Sequence, residues 1–385
     1  MFYSQAMRFA FSDEQEELRR SVCRVLNAHA SAAHTRRAME SEVGHDPALW
    51  KRLAGELGLT GLVVPEAHGG AGLGWIELVA VMEELGKALA CVPFFSTVCL
   101  GTSALLVGAD DDQQRELLPA IAAGTATTTL AHLESDGDLG ADAINAVATP
   151  DGDQIVLTGH KRHVVDGHTA DLLIVAARAP ATRGADGIAL YAVPATSPGV
   201  TRQRVVTIDQ TRPLADIVLD RVRLPARARL ARAAWPELER ILAFAAVGLA
   251  AEQVGGAQRC LDLAVDYAKV RTQFGRPIGS FQAIQHRCAD MFLLVESARS
   301  AAYYAGWAAA HEPDELATAA ATAKSYCSDA FFRCAGDAIQ IHGGIGFTWE
   351  HDIHLYFKRA RASRAFLGEP TLHRERVAQS ILGGE

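Results

Sequence analysis

The chain has 385 residues and a mass of 41.1 kDa, more than one domain of ~100–200 residues holds, so two or three domains are expected. Apolar residues make up 49% and charged residues 21%, which excludes a disordered chain. Thirty-seven Lys plus Arg against forty-five Asp plus Glu leave a net charge of −8, the wrong sign for a dedicated nucleic-acid binder.

The first residues, MFYSQAMRFAFSDEQ, offer Met1 and Met7 as alternative starts and lack a basic stretch followed by an apolar core. No apolar run approaches the ~20 residues of a membrane span. A cytoplasmic protein with no secretory signal and no membrane span is expected. Helical spacing begins after Phe11, with Ser12 or Asp13 as N-cap for a run carrying Leu18, Val22, Val25 and Leu26. A second helix carries Trp50, Leu53 and Leu57 and stops near Gly58. The stretch 61–74, rich in glycine and holding Pro65, reads as loop. Helical periodicity returns over 75–89 and from Asp112 to Ala123. The acidic cluster Asp110–Asp112 is a solvated helix start, not a metal site.

Near Thr125 the pattern changes to short β-branched runs over 127–133, 143–165, 170–179, 187–195 and 215–224. Turn signals at Asp151-Gly152-Asp153, Asp166-Gly167 and Pro198-Gly199 separate them. From about Pro236 four or five long helical segments follow, a layout that favours an antiparallel bundle. The expected domains are 1–125, helical; 126–235, β; and 236–385, helical. Seven scattered cysteines (Cys23, Cys91, Cys99, Cys260, Cys288, Cys327 and Cys334) form no CxxC pair and read as reduced thiols, with neither a disulfide nor a metal site.

Two segments carry chemistry. In 271–291 a helix runs up to Arg271, breaks over Gly275, Pro277 and Gly279, and restarts at Phe281-Gln282. This sets a guanidinium fork and a side-chain amide beside a glycine turn, a geometry suited to a diphosphate. In 340–360, Gly343-Gly344-Ile345-Gly346 follows a helix and lets a ligand approach bare backbone amides. Alone, either cluster is weak, since glycine is the usual helix C-cap.

Together, and in this order, they resemble the acyl-CoA dehydrogenase family over nearly the whole chain. ELGLTGLVVPEAHGGAGLG (56–74), MEELGKAL (82–89), 250–278 and QIHGGIGFT (340–348) carry the resemblance. It implies an α+β multidomain fold: an N-terminal helical domain, a middle β-barrel and a C-terminal four-helix bundle, assembled as a dimer of dimers. It also implies FAD, an acyl-CoA thioester and an electron-transfer flavoprotein as electron acceptor. In the implied reaction a carboxylate removes the α-proton while the β-hydrogen leaves as hydride. Arg271, Phe274, Gln282, Gln340, Gly343 and Gly344 match the half-site that grips the nucleotide end of a neighbour's FAD. Gln273 stands where a small hydroxyl residue is usual.

The half-site for the flavin ring departs from the family pattern. AHLESDGDLGAD (131–142) keeps only Glu134 and Gly140, and KRHVVDG (161–167) places His163 for an aromatic shield and Val165 for a threonine. Valine offers no hydrogen bond to a polar ring edge. His163 reads as a hydrogen-bonded structural histidine ahead of a proton carrier, and His342 as packing near the cofactor. At the general-base position stands Leu367; the alternative base register falls on Ala245, followed by Ala246. Leucine accepts no proton. Glu369 is displaced by two residues and restricted by Pro370, and like Glu239 reads as a helix-start carboxylate. No catalytic residue is assigned. The expectation is a base-lacking subunit paired with a second acyl-CoA dehydrogenase-like chain. The alternatives are a self-sufficient dehydrogenase using Glu369, or a non-redox hydratase-like or structural relative.

Overall fold

The structure is a computed structural model that describes residues 11–134 and 138–383, so Met1, Met7 and the centre of the 131–142 segment lie outside the described residues. The N-terminal layer comprises α1 (Asp13–His29), α2 (Ala32–Glu40), α3 (Pro47–Trp50) with a π-helical continuation Lys51–Glu56, and α4 (Trp75–Lys87). A π-helical stretch Phe95–Thr102 then leads into α5 (Ser103–Gly108), followed by α6 (Asp111–Ala122). Ser12 is the cap of α1: its hydroxyl accepts from Gln15 N while the Gln15 amide accepts from Ser12 N. Asp110 caps α6 in the same reciprocal way with Gln113, which is why that acidic cluster sits at a helix start.

The middle layer is one seven-stranded sheet of β1 (Thr128–Ala131), β2 (Val147–Asp151), β3 (Gln154–Val165), β4 (Leu172–Arg178), β5 (Ile188–Pro194), β6 (Val200–Val205) and β7 (Leu214–Pro225). It curls around its own core of Leu157, Val175, Tyr191, Val193, Ile217 and Leu219. β1 runs parallel to β4, and β3 pairs antiparallel with β7 along most of its length. That pairing slips between Lys161 and Val164, a bulge that turns the side chains of this stretch out of strand alternation.

The C-terminal layer holds α7 (Trp235–Val270), α8 (Gln282–His311), α9 (Leu316–His342), α10 (Ile353–Ala365) and α11 (Pro370–Leu382). A two-residue hairpin, β8 (Thr272–Gln273) with β9 (Arg276–Pro277), breaks the path between α7 and α8, as expected from its glycines and proline. α4 crosses α7 at backbone contact: a Cβ on Gly255 would lie 1.8 Å from Glu83 O, and one on Gly86 2.0 Å from Glu252 O. Any side chain at either glycine pushes the helices apart. α7 is long and apolar enough by composition to cross a membrane, but 89% of its apolar window is buried inside the protein. Its apolar character serves the core shared with α4, α8 and α9. Among the described residues all seven cysteines are unpaired, five of them buried, and no group of three or more metal-ligating side chains exists.

Candidate functional site

The chain end of α7 and the chain end of α9 lie side by side. Tyr267, one turn before Arg271, stacks on His342 with ring centroids 4.4 Å apart, and the His351 ring lies tilted against His342 at 4.3 Å. The His342 Nδ1 bonds Ala338 O at 2.7 Å, which fixes this imidazole beside the glycine turn. Arg271 is the C-cap of α7, Gln282 the first residue of α8 and Gln340 lies in the last turn of α9. All three side chains are exposed, and among the described residues none has a hydrogen bond or ion pair within the chain. Phe274 is 92% exposed at the tip of the hairpin, with φ +51° and an edge-on contact to Phe281. Gly343, at φ +64°, and Gly344 would meet nothing within 4 Å if a Cβ were added, so their backbone faces open space. These groups set donors beside bare backbone, and among the described residues no anionic side chain pairs with them. Gln273 bonds only its neighbour's carbonyl, Thr272 O.

A second site lies where the three layers meet. A cavity of about 380 Å³ is walled by Leu100, Leu130, Leu133, Leu139, Val164, Val165 and Leu214, and closed by Phe366, Leu367 and Gly368 from the α10–α11 turn. His163 and Leu367, the two positions that depart most from the family chemistry, both line it and both hold left-handed backbone, at φ +54° and +58°. Non-glycine residues rarely adopt that conformation, so the packing around the cavity must hold both positions in place. His163 does not behave as the expected hydrogen-bonded structural histidine. Its backbone N donates to Asp216 Oδ1 at 3.3 Å, in the bulge, and among the described residues its ring makes no hydrogen bond.

Every charged group on the cavity wall that the structure pairs is paired elsewhere. Asp209 accepts from Arg359 Nε at 2.6 Å, and Arg359 Nη1 donates to Glu252 at 2.9 Å. Arg212 also binds Glu252 and lies over the Phe95 ring at 4.7 Å. Asp209 is the one carboxylate among the described residues lining the cavity, and it is locked in this network. Glu134, kept from the family pattern, does not face the cavity chemistry. It holds the buried Lys161 ammonium and accepts from the backbone N of Asn145 and Ala146. Burial pushes the Lys161 pKa down to about 8 against the pull of Glu134. His132, whose carbonyl oxygen lies 3.5 Å from the Lys161 ammonium, has both ring nitrogens buried with no hydrogen-bond partner among the described residues. Burial, reinforced by the Lys161 charge, pushes its pKa down to about 4, so the ring is neutral at pH 7.

The two known base positions are apolar and enclosed: Leu367 is 5% exposed and Ala245 fully buried. Glu369 is the N-cap residue of α11, but its carboxylate pairs with Arg364 at 2.9 Å and Arg361 at 3.5 Å and is not among the cavity-lining groups. Glu239 is exposed near the start of α7, at the edge of a larger groove of about 660 Å³ that shares Leu139 and Leu367 with the cavity. Sequence reasoning missed His132, Arg212 and Arg359, because nothing local marks a residue whose partners lie far along the chain.

The fit to FAD therefore differs between the two places. The surface at Arg271, Gln282, Gln340, Gly343 and Gly344 suits a diphosphate and nucleotide. In the cavity, Val165 offers no hydrogen bond where the family pattern has a threonine.

Comparison with known proteins agrees with the architecture. The family models for the acyl-CoA dehydrogenase N-terminal, middle and C-terminal domains match residues 12–125, 131–222 and 235–382. The chain is 37% identical to acyl-CoA dehydrogenase IpdE2 of Mycolicibacterium smegmatis over 374 residues, 96% of this chain and 99% of that protein. Its fold is similar to a chain of the ChsE4–ChsE5 complex from Mycobacterium tuberculosis, with TM-score 0.89, 28% identity and coverage of 98% and 100%. It is likewise similar to a Tcur3481–Tcur3483 steroid ACAD, with TM-score 0.85, 33% identity and coverage of 97% and 98%. This chain belongs to the acyl-CoA dehydrogenase family, FAD-dependent oxidoreductases that act on CH–CH bonds.

Proposed function

We propose that this chain is the base-lacking subunit of a heteromeric acyl-CoA dehydrogenase, contributing the nucleotide clamp for FAD seated mainly on a partner subunit of the same family. The observation that carries the reading is the enclosed Leu367 at the head of a cavity whose one carboxylate, Asp209, is consumed by Arg359. Abstracting an α-proton needs a positioned acceptor within hydrogen-bond reach, and the one carboxylate among the described lining residues is already held by Arg359. Bound FAD supplies the acceptor for the hydride that leaves the β-carbon. This chain's own part is binding: Arg271 meets the diphosphate, Gln282 and Gln340 orient the nucleotide, Phe274 covers it, and the Gly343 and Gly344 backbone lets it approach. The partner's carboxylate takes the α-proton.

Both solved relatives named above are two-protein complexes, which supports the heteromer. The steroid named for one of them favours a bulky, ring-bearing acyl-CoA as substrate, with an electron-transfer flavoprotein as acceptor. The seven unpaired thiols fit a reducing, cytoplasmic setting. The test is to purify the chain with its partner and count flavin by absorbance. Half the content of a four-flavin tetramer is expected. Four flavins per tetramer, with activity from this chain alone, overturns the reading.

A further inference from the structure

A separate cavity of about 380 Å³ lies among α1, α2, α4, α7 and the start of α10, and it shares no residue with the clamp surface or with the cavity behind Leu367. Its charged lining residues are Glu84, Lys87, Arg259, Asp262 and Asp352. Three of them are already paired: Lys87 with Asp262 at 3.3 Å, and Asp352 with Arg36 at 2.7 Å. Glu84 is 8% exposed, yet among the described residues its carboxylate accepts no hydrogen bond from a nitrogen or a hydroxyl. Its neighbours are the Cys23 thiol, a weak donor, and Arg19 Nη1 at 3.8 Å, a guanidinium that also pairs with Glu16. Arg259 has no carboxylate partner among the described residues and leans on the Tyr356 hydroxyl, which itself donates to Lys87 O at 2.9 Å. The hydroxyl of buried Thr35, on the same wall, also makes no hydrogen bond among the described residues. Neither this oxygen nor those of Glu84 are sealed inside the protein, so all are reached from the cavity.

The wall thus keeps one carboxylate without a close partner and one guanidinium without a carboxylate, and the two do not pair with each other. Buried charges left this way are costly, and buried polar groups are nearly always satisfied. An anion alone would leave Glu84 stranded and a cation alone would leave Arg259, so the complementary ligand carries both signs. Leu26, Leu89, Leu263 and Leu355 line the rest of the wall and suit an apolar side chain. The volume is about two and a half times the ~150 Å³ that holds one benzene ring, room for roughly a dozen non-hydrogen atoms.

We propose that this cavity binds a small zwitterion, an α-amino acid with an apolar side chain, its ammonium on Glu84 and its carboxylate on Arg259. The site lies outside the flavin and base positions, so it stands whether or not this chain works as the base-lacking subunit.

The test titrates the protein, purified with its partner, by calorimetry with three probes: L-leucine, 4-methylpentanoate, which lacks the amine, and 3-methylbutylamine, which lacks the carboxylate. Leucine is expected to bind, and each analogue about tenfold or more weakly, the size of one charged hydrogen bond. Glu84→Gln is expected to erase the preference for leucine over 4-methylpentanoate, and Arg259→Met the preference over 3-methylbutylamine. Without ligand, Glu84→Gln is expected to melt no lower than the wild type, because it removes a buried charge that lacks a close partner. Absence of leucine binding overturns the proposal, and so does 4-methylpentanoate binding as tightly as leucine. Preferences that survive both substitutions place the probe in the partner subunit and also overturn it, as does a lower melting temperature for unliganded Glu84→Gln. The flavin count that tests the proposed function is separate from all of these outcomes.

Discussion

The ammonium of Lys324, fully buried in α9, lies 3.2 Å from the carbonyl oxygen of Gly368 and 3.1 Å from that of Arg364. It therefore caps the C-terminal end of α10 from outside and ties down the turn that carries Leu367. Ser328 Oγ takes a third hydrogen bond at 2.9 Å. Replacing this side chain by an apolar one of similar length strands those acceptors. Lys324→Met is expected to lower stability at pH 7 by about 1–3 kcal/mol, read from urea unfolding.

The same residue predicts a pH dependence. Burial pushes its pKa from 10.5 down to about 7, against the attraction of Glu369. Between these two values the unfolded chain binds the proton and the folded chain does not. Stability contributed at this site therefore rises as pH climbs from about 7 toward 10.5. Lys324→Met flattens that slope. Melting temperatures of both proteins at pH 7 and pH 9.5 test it, and parallel changes count against it.

The buried network beside the cavity gives the largest expected loss. Arg359 is 3% exposed and holds Asp209 and Glu252, which pack α10 against the loop before β7 and against α7. Arg359→Leu leaves both carboxylates buried beside one remaining partner, Arg212. A cost of about 3–5 kcal/mol follows from breaking a buried pair on one side. Adding Glu252→Gln to Arg359→Leu removes one stranded charge and is expected to recover part of the loss, measured as a shift in the urea midpoint.

Arg271 offers the opposite case, a residue whose loss costs function without costing the fold. It is exposed and, among the described residues, unpaired within its own chain. Arg271→Ala is expected to leave the melting temperature of the isolated chain unchanged. In the heteromer it removes a charge-assisted hydrogen bond of about 1.5–3 kcal/mol, so FAD binds roughly 10–150-fold more weakly. Equilibrium dialysis of flavin against wild type and variant separates the two effects.

What was legible in the sequence was local. The capping signal at Ser12, the hairpin turn at Gly152 and the break between Arg271 and Phe281 each announce an element from residues within a few positions. The leucine on which the proposed function turns was legible for the same reason, since Leu367 stands in a short motif. Phe95–Gly108 escaped notice because it is buried nearly all round, so it shows no polar face and no helical period. Strand β6, VTRQRV, is an edge strand with no buried residue and reads as loop. α2 is a short polar helix and α10 carries His, Lys and Arg through its length, so neither displays a clean stripe. The ion network joins residues 40 to 150 positions apart, and the left-handed backbone at His163 and Leu367 is set by packing, so neither has a sequence signal.

The acid side of the stability profile follows from groups around the same turn. His373 Nε2 bonds the Leu367 carbonyl at 2.9 Å, while burial, with the nearby Lys324 charge, pushes its pKa from 6.5 down to about 4. The folded chain thus resists a proton that the unfolded chain accepts. This contribution is complete above pH 6.5 and is lost as pH falls toward 4. Asp166 works in the other direction. Burial raises its carboxyl from 3.8 to about 6 despite the 2.6 Å hydrogen bond from Ser96, so its contribution is complete below pH 3.8 and is lost as pH rises through 6. Between pH 4 and 6 the two slopes oppose each other. His373→Gln is expected to flatten the fall in stability on acidification, and Asp166→Asn to steepen it, because each removes one of the opposing terms. Urea midpoints at half-unit steps from pH 4 to 7 distinguish them, and a shift of the same sign in both variants rules out this account of the acid limb.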